Sequence, residues 1–322
     1  MAARRTDAEG GTERLLRRAA TFRPAADPLP ARAVSYGSDF TLTLWTADPG
    51  LARDGEEAGV DRVGLDLEKI GKKARQHHLN TWISEHAEAD LPAIRSALRK
   101  ARLFVRTNPL HAGSREEIHR LIDGGAEVLM LPMFHTPDEA ASYVRLVAGR
   151  ADVSLLLETA SAARRVDEIV RIPGIHEIHV GLNDLRISRG LGNHFEVLAC
   201  DSMRVLSDTI RAAGIRFGFG GIGRVDDGQL PVPSDLVYAQ YPRLEADRAL
   251  IARAFFPRDG TPIDLTIEVD RARRRLDEWS RRPPHELARA LDDLRRRARA
   301  LADHALGTPL PPAAPSAPDR QR

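Results

Sequence analysis

Residues 155–190 read LLLETASAARRVDEIVRIPGIHEIHVGLNDLRISRG, and this stretch decides the fold. It contains an apolar run that ends in Glu158, a segment of helical length, a Pro-Gly turn and a second apolar run that ends in Asp184. This order is typical of a βαβ unit with two buried parallel strands. The unit places one carboxylate at the tip of each strand, and that placement suggests a metal site.

The same alternation continues on both sides of this unit. Between about residues 37 and 258, short β-rich runs alternate with longer amphipathic segments, as in parallel βα units. Eight runs are predicted as strands: FTLTLWT from Phe40, DRVGLDL from Asp61, RLFVRTN from Arg102, EVLMLPM from Glu127, VSLLLET from Val153, HEIHVGL from His176, IRFGFGG from Ile215 and DLVYAQY from Asp235. Four of these follow a loop with a glycine where a helix must end, at Gly59, Gly125, Gly174 and Gly214.

Eight βα repeats in about 220 residues predict an α/β fold, the (β/α)8 TIM barrel. A doubly wound sheet is the competing architecture. It would more naturally have about five to seven strands and a Gly-rich first turn. No G-x-G-x-x-G motif follows the first predicted strand.

The ends of the chain differ in composition from the barrel segment at residues 37–258. Residues 1–36 are rich in Ala, Arg and Pro, and residues 306–322 are rich in Pro and Ala, so both are predicted to be disordered or weakly ordered tails. Residues 262–305 carry Leu, Ala and Trp at helical spacing. They predict two helices appended to the barrel as a C-terminal extension.

Charge and cysteine content argue against several classes of protein. Lysine and arginine number 48 against 46 acids, and the net charge of +2 gives no electrostatic case for nucleic acid or a membrane as a main partner. The single Cys200 excludes an internal disulfide framework. No apolar stretch is long enough for a signal peptide or a membrane span, so we expect a cytoplasmic protein.

The active groups of a TIM barrel come from residues at or just after the carboxyl ends of the strands. This sequence places there the following residues: Asp66, Glu68, Arg106, Asn108, Pro132, Glu158 and Asp184. Four acids and one arginine at this one end of the barrel are more charged side chains than the structure of the barrel requires. The group predicts a polyanionic ligand together with a cation.

Glu158 and Asp184 are the candidate metal ligands. Adjacent parallel strands lie about 4.8 Å apart, so the two carboxylates can reach one ion. Hard oxygen ligands favour Mg²⁺ or Mn²⁺, and two protein ligands leave most of the octahedron to water and substrate. The alternative is that both acids cap the helices that follow them.

Arg106 ends a run that is too apolar for an exposed strand, so its guanidinium should project into the barrel mouth. Its planar fork suits a substrate carboxylate, and an internal salt bridge to Asp66 or Glu68 is the alternative. The cationic run from Lys69 to Arg75 is typical of a solvated helix face, and Lys72 belongs to it.

Four segments resemble sequences of the superfamily that groups the HpcH/HpaI aldolases with citrate lyase β subunits. The block at residues 155–185 is similar to the family's I-E-T-x-x-A and G-x-x-D-L segments. VDRVGLDLE, the K-x-A-R at residues 72–75 and VRTNP resemble motifs of the lyase branch. The similarity covers about residues 40–256.

The resemblance implies a divalent-metal-dependent carbon–carbon lyase with a TIM-barrel fold. Glu158 and Asp184 would be the ligands of Mg²⁺ or Mn²⁺, and Arg106 would hold the substrate carboxylate. Asn108 of the same motif is assigned with Arg106 to substrate binding. Asp66 and Glu68 join Arg106 as the catalytic group, in which they orient the arginine or metal-bound water.

The implied reaction is cleavage or condensation of a small 2-oxo or hydroxy acid, or of its CoA thioester, through a metal-stabilised enolate. The resemblance also implies a homo-oligomer, a trimer or a hexamer. A non-catalytic carboxylate-binding or scaffold relative and a metal-dependent thioester hydrolase on the same barrel are the alternatives.

The proton-transfer group departs from the family pattern. Lys69 stands where the aldolase branch has a histidine as general acid/base, and the second aspartate of the lyase branch is absent. His78, His111, His135 or metal-bound hydroxide could replace it, and the sequence leaves these alternatives open.

Overall fold

The computed structural model describes residues 35–72, 85–228, 230–257 and 259–307, which contain a closed eight-stranded barrel. The strands are β1 (Thr41–Trp45), β2 (Arg62–Asp66), β3 (Arg102–Arg106), β4 (Val128–Leu131), β5 (Asp152–Leu157), β6 (Glu177–Val180), β7 (Arg216–Ile222) and β8 (Arg248–Ile251). Neighbouring strands are all parallel, and β8 pairs with β1 to close the barrel. The predicted TIM barrel is therefore confirmed.

Helices surround this sheet. Within the described residues they are α1 (Tyr36–Asp39), α2 (Pro49–Glu57), α3 (Leu91–Ala97), α4 (Ser114–Asp123), α5 (Pro137–Val147), α6 (Ala160–Arg164), α7 (Val166–Ile169), α8 (Leu182–Arg189), α9 (His194–Ala199), α10 (Asp201–Ala212), α11 (Ser234–Tyr238), α12 (Gln240–Arg243), α13 (Leu265–Ser280) and α14 (Pro284–Gly307). The predicted glycines lie in the loops before β4 and β6, where Gly125 and Gly174 have φ values of +96° and +90°. Residues that carry a side chain rarely adopt such φ values, which explains why glycine occupies these positions.

Strand alternation positions the side chains of the barrel. In β2, Val63 and Leu65 are fully buried in the main core between sheet and helices. Because successive side chains point to opposite faces, the side chains of Arg62 and Asp66 point to the barrel axis. The same alternation turns the polar residues at the ends of β3 and β5 inward.

The inside of the barrel is partly apolar. A small cluster of Phe104, Val128, Met130 and Leu156 packs there, with Trp45 against it. Trp45 and Phe104 meet edge to face, with ring centroids 5.4 Å apart. These side chains lie beneath the polar groups at the carboxyl ends of the strands.

A buried ionic group closes the amino-terminal end of the barrel. Arg62 Nη1 donates to both carboxylate oxygens of Glu177, at 2.9 and 2.8 Å, and Arg248 forms a second ion pair with the same carboxylate. Burial alone would raise the pKa of Glu177, but the two guanidinium charges outweigh burial and lower it to about 2. Glu177 is therefore charged at neutral pH.

The first seven predicted strands begin within one residue of their predicted starts, but the eighth prediction is wrong. The run DLVYAQY from Asp235 forms α11 and the start of α12, and the eighth strand is β8. Tyr238 and Tyr241 are fully buried three residues apart, which is helical spacing. The real strand begins with Arg248 and Ala249, two residues without strong strand preference, and is held by pairing to β7 and β1.

The two predicted C-terminal helices form as α13 and α14. α13 packs against α1, α2 and α12, and so takes the place in the helical ring that follows β8. Its buried Arg273 donates to the carbonyl oxygens of Gly37, Phe40 and Gly59. α14 packs outside the ring on α9, α11 and α12.

The predicted boundary between barrel and extension, at about residues 258–262, falls between β8 and α13. The predicted tails lie almost wholly outside the described residues. No helix in the described ranges is long and apolar enough to cross a membrane.

Candidate active site

A cavity of about 610 Å³ opens at the carboxyl ends of the strands, and Asp66, Arg106, Glu158 and Asp184 line it. The structure therefore brings these predicted site residues together around one space. A second cavity of about 530 Å³ lies at the amino-terminal end of the barrel. Its described lining consists mainly of ion-paired arginines and acids and includes no predicted site residue.

Glu158 follows β5 directly and is 2 % exposed. Its Oε1 accepts a hydrogen bond of 3.0 Å from the backbone N–H of Met133, whose φ of +52° is uncommon for a side-chain-bearing residue. Gly181 at the end of β6 leaves space on the other side, since a Cβ there would lie 2.6 Å from Glu158 Oε2. The carboxylate is thus held in one orientation.

Asp184 lies in the first turn of α8 and faces the same cavity. Burial raises the pKa of Glu158 well above its ordinary value, and the nearby charges of Asp184 and Glu68 raise it further. The N-cap of α6 is Thr159 and that of α8 is Gly181. Neither acid occupies a capping position, so the capping interpretation is wrong.

Arg106 forms a two-point ion pair with Asp66. Its Nε donates to Oδ1 at 2.8 Å and its Nη2 to Oδ2 at 2.6 Å. Burial alone would lower the pKa of Arg106, but the Asp66 charge raises it. Within the described part of the chain, Nη1 has no hydrogen-bond partner, and the guanidinium lies 5.6 Å from the centroid of the Trp45 ring. The predicted internal salt bridge between Arg106 and Asp66 is present, and the Nη1 edge of the guanidinium is left for a ligand.

Lys72 also belongs to this cluster, although sequence reasoning placed it on a solvated helix face. It is 4 % exposed, lines the cavity, and its Nζ lies 2.6 Å from Asp66 Oδ2 and 3.6 Å from Glu68 Oε2. Lys69, which stands at the position of the family histidine, is exposed. The four-residue spacing from Glu68 to Lys72 was the signal that could have identified this pair.

The two remaining predicted residues lie beside the cavity. Glu68 is 2 % exposed, and its Oε2 lies 3.6 Å from Arg106 Nε. Asn108 Oδ1 accepts the backbone N–H groups of Lys69 and Ile70, at 2.9 and 3.0 Å. Asn108 is not among the described residues that line the cavity, and its amide oxygen holds the loop after β2.

The histidines weighed for proton transfer are placed as follows. His78 lies outside the described residues. His111 Nε2 pairs with Glu117 Oε2 at 2.9 Å, and His135 Nδ1 lies 3.2 Å from Ser161 Oγ. Among described residues, neither His111 nor His135 is part of the cavity lining.

Two other histidines do line the cavity. His179 on β6 donates from Nε2 to the carbonyl oxygen of Gly220 at 3.0 Å. Burial lowers the pKa of His179 to about 4, so it is neutral at pH 7. His194 at the start of α9 packs on Phe195 at the solvent-exposed edge.

The carboxylate pair fits a hard divalent cation. Among the residues that the structure describes, no group of three or more His, Cys, Asp or Glu side chains is arranged to hold a metal. Two carboxylates are nevertheless a sufficient protein contribution for Mg²⁺, which keeps several waters. A bound cation would relieve the electrostatic repulsion between the Glu158 and Asp184 carboxylates.

Solved structures of similar fold are aldolase-type barrels. The HpcH/HpaI aldolase from Desulfitobacterium hafniense DCB-2 gives a TM-score of 0.52 at 16% identity and covers 67% of this chain and 86% of its own. An HpcH/HpaI aldolase/citrate lyase family protein from Burkholderia cenocepacia J2315 gives 0.51 at 20% identity, with 75% and 95% covered. Citrate synthase SbnG gives 0.50 at 16%, with 67% and 86% covered.

No curated protein matches this chain. The family model described as HpcH/HpaI aldolase/citrate lyase matches residues 41–219, more than half of the chain. The matched segment contains β1 to β6 and the four predicted residues that line the cavity. The resemblance found in the sequence is confirmed: the chain belongs to the HpcH/HpaI aldolase/citrate lyase family.

Proposed function

We propose that this protein is a divalent-metal-dependent carbon–carbon lyase. It cleaves or condenses a small 2-oxo or hydroxy acid, free or as its CoA thioester. Family membership supports a lyase-type function. The observation that carries the proposal is the arrangement of Glu158, Asp184 and Arg106 around one cavity.

Glu158 and Asp184 are the residues that would hold Mg²⁺ or Mn²⁺. When bound, the cation supplies positive charge where negative charge develops as the carbon–carbon bond breaks or forms. The chain prepares this position in advance: the Met133 N–H fixes one oxygen of Glu158, and the missing side chain at Gly181 leaves room for the other. Such preorganisation reduces the rearrangement needed during reaction.

Arg106 binds the carboxylate of the substrate in this proposal. Asp66 holds its Nε and Nη2 edge, and Trp45 packs against its flat face, so the guanidinium has little freedom. Its Nη1 then donates to the substrate carboxylate and sets the distance from the reacting carbonyl to the metal position.

Lys72 is our candidate for the proton-transfer group. Its Nζ is held by Asp66 and Glu68 at the wall of the cavity, whereas Lys69 is exposed. In condensation, Nζ gives a proton to the oxygen of the acceptor carbonyl as this becomes a hydroxyl group. In cleavage, the proton returns to Nζ.

Deuterium exchange tests the proposed function. The protein is incubated in deuterated water with Mg²⁺ and pyruvate, oxaloacetate, acetyl-CoA or propionyl-CoA, and exchange is followed by NMR. We expect metal-dependent exchange with one of these compounds and a loss of at least about 100-fold in Glu158→Gln and Asp184→Asn. Asp167→Asn, an exposed acid on α7, serves as the matched control. Absence of exchange with all four compounds would favour the non-catalytic binder.

A further inference from the structure

The cavity has an apolar half that a small oxo acid does not use. Resting on the proposed function, we propose that the second reactant is an apolar aldehyde, whose hydrocarbon chain or ring lies in this half. The carbonyl carbon of the aldehyde forms the new bond to the methyl carbon of the 2-oxo acid. The methyl carbon loses one proton, and the aldehyde oxygen gains one.

The two halves of the cavity come from different strands. Charged residues at the ends of β2, β3 and β5 and at the start of α8 form one side. The other side is formed by β7, β8 and the helices around them, and apolar side chains make up most of it: Phe195, Leu198, Val237, Ile251 and Phe256. An apolar wall of this extent favours a hydrocarbon group over a hydroxylated one, because each buried polar group needs a partner.

The size of the cavity supports a second reactant. A liquid water molecule occupies about 30 Å³, so a three-carbon oxo acid with the bulk of a few waters fills a minor part of the space. The cavity measures about 610 Å³. Most of this volume is therefore left for a second reactant.

Two glycines of β7 pack closely against the wall of this half. A Cβ at Gly220 would lie 2.7 Å from Leu182 Cδ1, and one at Gly221 would lie 3.0 Å from the Leu250 carbonyl oxygen. Gly220 also has a φ of +46°. A side chain at either position would collide with this wall, so glycine permits the close packing of β7 on Leu182 and β8.

The polar groups near the apolar half lie at its outer edge. His194 and Arg253 line the cavity and are both solvent-exposed. The buried surface, by contrast, contains Leu198, Ile251 and Phe256. An apolar chain can therefore enter past a polar rim into an apolar interior.

Ligand binding gives a test that does not depend on catalysis. Hexanamide and acetamide, unreactive counterparts of a long and a short aldehyde, are titrated into the protein by ligand-observed NMR. Each buried methylene contributes about a fourfold gain in affinity, so hexanamide should bind at least about tenfold more tightly. Val237→Phe should weaken hexanamide binding at least about tenfold, and Val205→Phe should leave it unchanged, because Val205 is 62 % exposed on α10. Equal binding of the two amides, or equal effects of both substitutions, would overturn the proposal.

Turnover gives the second measurement. With pyruvate as donor, condensation with hexanal should exceed condensation with glycolaldehyde or succinic semialdehyde in kcat/KM. Val237→Phe should lower the hexanal value, Val205→Phe should leave both the hexanal value and pyruvate deuterium exchange unchanged, and Val237→Leu introduces a smaller side chain if the larger residue prevents folding. A preference for either polar aldehyde would contradict the apolar substrate. Absence of exchange with pyruvate, oxaloacetate and both CoA thioesters would instead contradict the proposed function.

Discussion

Arg106 and Asp66 are direct neighbours across β3 and β2, and the register of the two strands places their Cα atoms opposite each other. Their side chains meet through two hydrogen bonds of 2.8 and 2.6 Å. The orientation of the guanidinium is therefore set by the sheet itself, with Lys72 and Glu68 adding charge around it.

Asp66→Asn should damage both stability and activity. The substitution leaves the buried Arg106 without its charged partner, and breaking such a pair costs about 3 kcal/mol of unfolding free energy. Deuterium exchange should fall about 100-fold because the guanidinium loses its orientation. Urea unfolding and exchange rates measure the two effects. The control is Asp152→Asn, which removes the partially exposed partner of Arg102. It should lower the free energy of unfolding by under about 1 kcal/mol and leave deuterium exchange unchanged. Equal losses of stability and exchange in both variants would argue against a special role for Asp66.

Lys72→Met and Lys69→Met should differ sharply in their effect on the condensation rate. Lys72→Met should lower the condensation rate by about 100-fold or more, because it removes the proposed proton donor from the cavity. Lys69→Met should change the rate by less than about twofold, since Lys69 is exposed. Steady-state rates with pyruvate and an aldehyde give the comparison. A larger effect of Lys69→Met would return proton transfer to the position that the sequence resemblance indicated.

Gly181→Ala should weaken metal binding without unfolding the barrel. The added Cβ would lie 2.6 Å from Glu158 Oε2 and displace the carboxylate. For the unaltered protein, Mn²⁺ at about 100 times its Kd should raise the free energy of unfolding by about 2.7 kcal/mol. The gain should be largely lost in Gly181→Ala and kept in Gly228→Ala, where nothing lies within 4 Å of the added atom. An undiminished gain in Gly181→Ala would place the metal elsewhere.

Acid should destabilise the protein in two steps. In the folded protein, burial lowers the pKa of His179 to about 4, so between about pH 6.5 and pH 4 the unfolded chain binds a proton that the folded chain does not. The free energy of unfolding therefore falls as the pH falls through this window, by up to about 3 kcal/mol. His179→Asn should flatten the dependence there, and urea unfolding at several pH values measures it.

The second step belongs to Glu177. Its pKa is held at about 2 in the folded protein by Arg62 and Arg248 against the effect of burial, so its contribution is present above about pH 4.5 and is lost between pH 4.5 and pH 2. Stability that stayed constant down to about pH 3 would contradict the ionic group at the amino-terminal end of the barrel.

Arg273→Met should destabilise the fold far more than Arg274→Met. Arg273 is 3 % exposed and joins α13 to the carbonyl groups that flank β1, whereas the side chain of Arg274 is 68 % exposed. Its loss leaves several buried acceptors unsatisfied, and we expect a cost of about 3 kcal/mol or more. Thermal or urea unfolding compares the pair. Similar stabilities would mean that α13 contributes little to closing the barrel.

Most of the barrel could be predicted from the sequence because its strands are buried on both faces. Runs such as RLFVRTN and VSLLLET are apolar enough to stand out, and glycines mark the loops before several strands. The eighth strand could not be found this way. Arg248–Ile251 is a strand because β7 and β1 need a partner between them, which is a property of the closed barrel and not of those four residues.

In the candidate site, too, some residues could be located from the sequence and others could not. Arg106, Glu158 and Asp184 could be located because strand ends fix their positions. Lys72 was misjudged because its position depends on the path of the loop after β2. That loop turns Lys72 inward and takes up the amide oxygen of Asn108.

Glu158 and Asp184, the two acids of the proposed pair, come from one continuous segment, from β5 through α8. Their spacing is thus a local property, whereas the distance from either acid to Arg106 depends on β4 and on closure of the whole barrel. Residues 152–190 therefore form a cassette. Exchanged between related barrels, it should transfer the two proposed metal ligands, while the recipient would supply the backbone N–H that Met133 gives to Glu158 and would determine which substrate acid binds.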